Sequence, residues 1–136
     1  MKIVIDTKVV LAAFFFGGPS QKIVEAVARG ALAAYATRDI VEEYEAAIAQ
    51  MESRSKGGLR NNLLLPFTSR LRMIEETPKA VTCRNHGDDK FLSCALDAGA
   101  FYIVDADKKL CLRNQGKDVK IMTIKGLCRL LALSSL

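Results

Sequence analysis

Met1-Lys2-Ile3-Val4-Ile5-Asp6-Thr7 is a short apolar run that ends on an acid, Asp6. A second such run lies near the other end of the chain, where Phe101-Tyr102-Ile103-Val104 leads into Asp105-Ala106-Asp107. Ile3 to Ile5 are β-branched and uninterrupted, the pattern of a strand covered on both faces in a parallel sheet. Open α/β sheets build their sites outside the C-terminal ends of such strands. Two strands that end on carboxylates therefore predict one acidic, cation-binding cleft assembled from distant parts of the chain.

Outward from these runs, strands and helices alternate. Thr7 to Phe16 reads as an apolar helix closed by Gly17-Gly18-Pro19. Ser20 is the expected N-cap of a helix to Ala28, with Gly30 as its stop. Leu32 to Ala36 reads as a strand, and Thr37 as the cap of a helix to about Met51. Ser53 to Asn62 is rich in Gly, Arg and Asn and reads as a mobile connection. Leu63 to Ile74 reads as helix, with Pro66 early in it or breaking it. A short extended piece is expected within Ile74 to Val81, then a helix from Asp88 to Ala98 closed by Gly99. Phe101 to Val104 and Val119 to Met122 are the remaining strands, and Thr123 opens a final helix through Leu133. This alternation indicates a parallel sheet covered on both faces.

At 136 residues the chain makes one ordinary domain, residues 1–136, and with 50% hydrophobic residues it can bury a sizeable core. It has no apolar run of some 18 residues, so no membrane span is expected, and Met1 to Thr7 is too short for a signal peptide. A cytoplasmic protein is the expectation. Cys83, Cys94, Cys111 and Cys128 form no C-x-x-C pair and the chain has one His, His86. Buried reduced thiols are expected rather than a zinc site. The net charge of +5 comes from 20 Lys and Arg spread along the chain. Alone it reads as solvated surface; beside an acidic cleft it suits a polyanion such as RNA or DNA.

Periodicity sorts the acids. In the helix after Thr37, the residues Ile40, Tyr44, Ala47, Ile48 and Met51 form one apolar stripe. At roughly 100° per residue, Glu43 lies at the edge of that stripe, Glu42 points nearly opposite and Glu45 sits well off it. On periodicity alone Glu43 is equally a solvated flank residue. Asp88 shares a face with Phe91 and Leu92, whereas Asp89 is turned away and reads as a dipole partner at a helix start. Asp105 and Asp107 point the same way in an extended segment, and either could cap the following turn. Asp6, ending a buried strand, must be paired, solvated in a cleft or bound to a cation. Like charges about 4 Å apart cost on the order of 1 to 4 kcal/mol per pair. Oxygen ligands without His or Cys favour Mg²⁺ or Mn²⁺, which with water can attack a phosphodiester. His86 lacks a second imidazole for acid/base RNA cleavage, and no G-x-S-x-G or phosphate-binding Gly loop is present.

Ile3-Val-Ile-Asp-Thr7, Ile40-Val-Glu-Glu-Tyr44, Asp88-Asp-Lys-Phe-Leu92 and Tyr102-Ile-Val-Asp-Ala-Asp107 come in the order and spacing of PIN-domain ribonucleases. The chain resembles, over nearly its full length, the toxin components of toxin–antitoxin pairs akin to VapC. The resemblance implies an α/β fold: a three-layer α/β/α PIN-like architecture around a central, mainly parallel sheet of four to five strands. It implies Mg²⁺- or Mn²⁺-dependent cleavage of RNA by a water held at an acidic quartet, here matched by Asp6, Glu43, Asp88 and Asp107. It also implies a homodimer and a small antitoxin partner.

Four positions depart from the family's pattern: Lys8, where Asn is common; Asn85, where an acid is common; Asp105, where Thr or Ser is usual; and Lys109, where an acid or amide is common. Thr7, Lys8, Asp89, Asp105 and Lys109 are accordingly accessory or site-modifying candidates. Lys8 and Lys109 can neutralise the cleft as ammonium ions, or extend to solvent and meet RNA phosphates. They motivate a second reading, a catalytically weakened or inactive module that binds RNA or a partner protein. A phosphate-accepting receiver domain fits less well, because Asp6 ends the first strand rather than a central one. Arg54, Lys56 and Arg60 are candidate RNA contacts, set against an ordinary solvated loop. Leu63, Leu64, Leu65 and Phe67 suit core packing or a groove for a partner helix.

Overall fold

A computed structural model describes residues 1–54, 61–77, 89–106 and 119–134. β1 (Lys2–Ile5) leads into α1 (Thr7–Phe15) and α2 (Pro19–Ala28), then β2 (Ala33–Ala36) and α3 (Arg38–Arg54). α4 (Asn61–Arg70), β3 (Arg72–Met73), α5 (Asp89–Ala98), β4 (Tyr102–Asp105), β5 (Lys120–Thr123) and α6 (Ile124–Ser134) complete the described elements. The five strands form one sheet in the order β3-β2-β1-β4-β5, and every pairing is parallel.

β1 holds the centre of that sheet. Ile3, Val4 and Ile5 are all fully buried, as a strand with helices on both faces requires. α5 packs on β1, β2 and β4, while α2 packs against α1, α4 and α6. The result is a three-layer α/β/α fold. β4 is equally apolar at Ile103 and Val104, which are also fully buried. Burying each such side chain contributes about 1.5 to 3 kcal/mol.

Several element ends differ from the reading of the sequence, each for a local reason. Ser20 is not the cap of α2. Gly18 is, at φ 68°, with Pro19 at the first helical position and no side-chain cap. Only a residue tolerant of positive φ fits there, and Pro is pre-set for a helix start, so Ser20 falls inside the helix and is buried. Ser53, Arg54, Asn61 and Asn62 are helical rather than connecting, since α3 runs to Arg54 and α4 starts at Asn61. Residues 55–60 lie outside the described residues. α4 carries Pro66 in its interior and stops at Arg70, four residues short of the expected end. Arg72 and Met73 instead pair with Tyr35 and Ala36, and Ile74 N–H donates to the Ala36 carbonyl at 3.0 Å. The extended piece therefore begins before Ile74, because the free edge of β2 recruits this segment. Thr37 caps α3 as expected, its hydroxyl accepting from Ile40 N–H at 3.3 Å. Thr123 likewise caps α6 through Gly126 N–H at 3.1 Å.

Phe67 is 1% exposed and meets Phe14 edge-on, with ring centroids 5.8 Å apart. Leu63 and Leu64 pack partly buried against the core, whereas Leu65 is 74% exposed. Phe67→Ala should therefore cost about 3 to 5 kcal/mol. Leu65→Ala should stay within about 0.5 kcal/mol. Urea denaturation of the two variants measures both, and similar losses for the two would refute this division of α4.

Candidate active site

Strand order reverses between β1 and β4. β2 and β3 lie on one side of β1, and the chain then crosses to β4 and β5 on the other. A crevice opens at such a switch point, outside the C-terminal strand ends. Both acids that ended the apolar runs stand there. Ile5 pairs with Val104, and Asp6 N–H donates to the Val104 carbonyl at 2.9 Å. Asp6 and Asp105 are thus the next residues on the two strands that flank the switch. They are 8% and 4% exposed.

Each is oriented by its own backbone. Asp6 is the N-cap of α1, with Oδ2 accepting from Lys8 N–H at 3.1 Å. Asp105 Oδ1 accepts from Ala106 N–H at 2.7 Å. The N-cap role explains why an acid can follow a buried strand directly, since it satisfies an orphan donor of the helix that starts there.

Glu43 reaches the same end of the sheet from α3. Its Oε2 accepts a hydrogen bond from the Thr7 hydroxyl on α1, and its Oε1 forms an ion pair with Lys90 Nζ on α5. The neighbouring acids point elsewhere: Glu42 pairs with Arg38 at 3.1 Å on the exposed face, and Glu45 is exposed. Tyr44 is buried and its hydroxyl donates to the Ile5 carbonyl, fastening α3 to the end of β1. Burial pushes the Tyr44 phenol well above its ordinary value, and the carboxylates of Asp6 and Glu43 push the same way. Negative potential therefore converges on the end of β1.

The described donors are chemically hard. Asp6, Glu43 and Asp105 offer carboxylate oxygens. The thiol of Cys94, on the facing helix α5, is pushed up to about 12 by burial and then by Asp97 and Glu76, so it stays protonated and offers no thiolate. Such oxygens suit Mg²⁺ or Mn²⁺. Among the described residues, no three of His, Cys, Asp and Glu stand close enough to hold a metal ion by themselves.

Of the other candidates, Lys8 is exposed and contributes its backbone N–H to Asp6. Asp89 is the first residue of α5, and Arg54 ends α3 exposed to solvent. Asp88, Asp107, Asn85, Lys109, Lys56, Arg60, Cys83 and Cys111 lie outside the described residues. Cys94 and Cys128 are free thiols. No helix among the described residues is long and apolar enough to cross a membrane. Lys90 is the site residue that sequence reading missed. Its signal was a cation in the first turn of a helix, where the dipole disfavours one.

A parallel α/β/α sheet with acids at the strand ends of its switch point has the fold of the PIN class. The PIN-domain family model matches residues 2–109, so the chain belongs to that family. Among solved structures, a chain in the crystal structure of VapBC2 from Rickettsia felis, bound to a DNA fragment from their promoter, shares the fold with a TM-score of 0.59. The two are 16% identical, and the match covers 90% of this chain and 98% of that one. No curated protein matches by sequence.

Tyr44→Phe should leave the buried Ile5 carbonyl without this donor and cost about 1 to 3 kcal/mol. For a domain of this size that is roughly 3 to 10 °C in Tm. Differential scanning calorimetry measures it, and an unchanged Tm would show that the phenol does not clamp α3 to β1.

Proposed function

We propose that the protein is a metal-dependent endoribonuclease that acts as the toxin of a toxin–antitoxin pair. One observation supports the reading: Asp6 and Asp105 stand at the ends of neighbouring strands at the switch point of a PIN-domain chain, and Glu43 is tied to the same end of β1 through Thr7. The proposed catalytic quartet is Asp6, Glu43, Asp88 and Asp107, with Asp105 beside it. A bound Mg²⁺ or Mn²⁺ would supply an activated water and offset charge on the scissile phosphodiester. Asp6 would hold the ion through an oxygen fixed by the helix cap. Glu43 would orient groups near it, because Thr7 and Lys90 set its carboxylate in one position. RNA fits the net charge of +5, which attracts a polyanion toward a crevice that is itself acidic. The solved neighbour is a VapBC2 complex, which supports a small antitoxin as partner. A homodimer is part of the same proposal.

Lys90 on Glu43 favours one alternative, a weakened or silent PIN scaffold that binds RNA or a partner without cutting it. The two readings separate by activity. Native protein with Mg²⁺ or Mn²⁺ should cleave defined RNAs, and Asp6→Asn should lower the rate by about a hundredfold or more, as loss of several kcal/mol of charge stabilisation implies. Gel analysis of end-labelled RNA reads this out. Equal cleavage by Asp6→Asn would refute the nuclease, and RNA binding without cleavage by native protein would establish the silent scaffold.

A further inference from the structure

α2 and α6 pack against each other, and their first turns open onto the same space. Pro19 and Ser20 on α2, and Ile124 and Lys125 on α6, line one cavity of about 410 Å³ together with Ala106 and Thr123. The cavity lies at the C-terminal end of the sheet, since Thr123 ends β5 and Ala106 follows the last residue of β4. Asp105 is the next residue in the chain, so the cavity adjoins the crevice at the switch point.

Both helix starts present donors to it. α2 has no side-chain cap, because Gly18 takes the cap position and Pro19 the first helical one. The Thr123 hydroxyl caps α6 through Gly126 N–H, which leaves the N–H groups of Ile124 and Lys125 without an intrahelical partner. Neither first turn carries an acid, so both dipoles end in positive charge that no side chain of the turn offsets. Lys125 adds a further cation. Ala106 N–H is already taken by Asp105 Oδ1, so the free donors are those of the helices.

Many solvated helix starts share these features, and Ser20 sets this one apart. It is 4% exposed, yet neither its hydroxyl nor its backbone N–H has a hydrogen-bond partner among the described residues. A buried polar group left unpaired is costly, and an acceptor oxygen placed in the cavity would remove that cost.

Resting on the nuclease reading above, we infer that the cavity between the starts of α2 and α6 is a phosphate subsite, which holds an RNA backbone phosphate flanking the one at the crevice. Ser20 donates through its hydroxyl and N–H, the first N–H groups of α6 donate from the facing wall, and Lys125 supplies countercharge. The subsite positions the strand and takes no part in breaking the bond.

Two probes used without divalent ions test this apart from cleavage. Inorganic phosphate added to isotope-labelled native protein should shift the amide resonances of Ser20, Ile124 and Lys125. Ser20→Asp puts a carboxylate where the anion would sit, at a helix start that favours one, and these shifts should vanish. A short fluorescein-labelled single-stranded RNA, followed by anisotropy, should bind Ser20→Asp roughly tenfold more weakly than native protein. Lys125 is exposed, so Lys125→Gln leaves packing untouched; it should weaken RNA binding severalfold and flatten its salt dependence. Circular dichroism establishes that the variants are folded. Absence of the amide shifts in native protein would overturn the subsite while leaving the nuclease intact. Shifts with phosphate but equal RNA affinity in native protein and both variants would overturn it too, as an adventitious ion only. Weakened RNA binding in the variants, with no cleavage by native protein and Mn²⁺, would uphold the subsite and replace the nuclease with the silent scaffold.

Discussion

The hydrogen bond from Asp6 N–H to the Val104 carbonyl is the rung on which the site depends. It extends the β1–β4 ladder one residue beyond the apolar run and brings two strand ends together at the point where strand order reverses. Burial fixes that ladder. Ile3, Val4, Ile5, Ile103 and Val104 have no exposed surface, and a slip by one residue would turn a strand's apolar set to the opposite face. The carboxylates lie just past the buried run, where the chain leaves the sheet. Their location follows from where hydrophobic burial ends.

Glu43 depends on the helices rather than on the sheet. Thr7, Lys90 and Glu43 come from α1, α5 and α3, and they meet over the end of β1. Tyr44, one residue on, holds α3 down through the Ile5 carbonyl. Neighbouring residues of one helix thus divide the labour: the phenol anchors the element and the carboxylate faces the crevice. The cost of gathering acids is offset locally by a backbone N–H for Asp6, another for Asp105, and a hydroxyl with an ammonium for Glu43.

The parts that were legible in the sequence are those governed by periodicity. The β-branched run of Ile3 to Ile5 marked the central strand. The 3.6-residue stripe through Ile40, Tyr44 and Ile48 separated Glu43 from Glu42 and Glu45, because side-chain direction on a helix is set by phase alone. Element ends were harder to read. Leu71, Met73 and Ile74 continue an apolar pattern without a Gly or Pro to break it, so the departure into β3 depends on the waiting edge of β2. At Gly18 and Pro19, backbone geometry outweighed the capping preference of Ser20. Lys90 was illegible because its partner is 47 positions away in the chain, beyond the reach of any local pattern. Asp88 and Asp107 stand as readings of the sequence.

The β1–β4 pairing also has a temporal side. β4, which pairs with β1 beside Asp6, is made about a hundred residues after Asp6. Long-range parallel pairing of this kind forms late, because the intervening chain must be closed into a loop first. A nascent chain therefore carries its acids unassembled until β4 has been made. Chain connectivity itself delays the site, which is assembled only once both strand ends have been made.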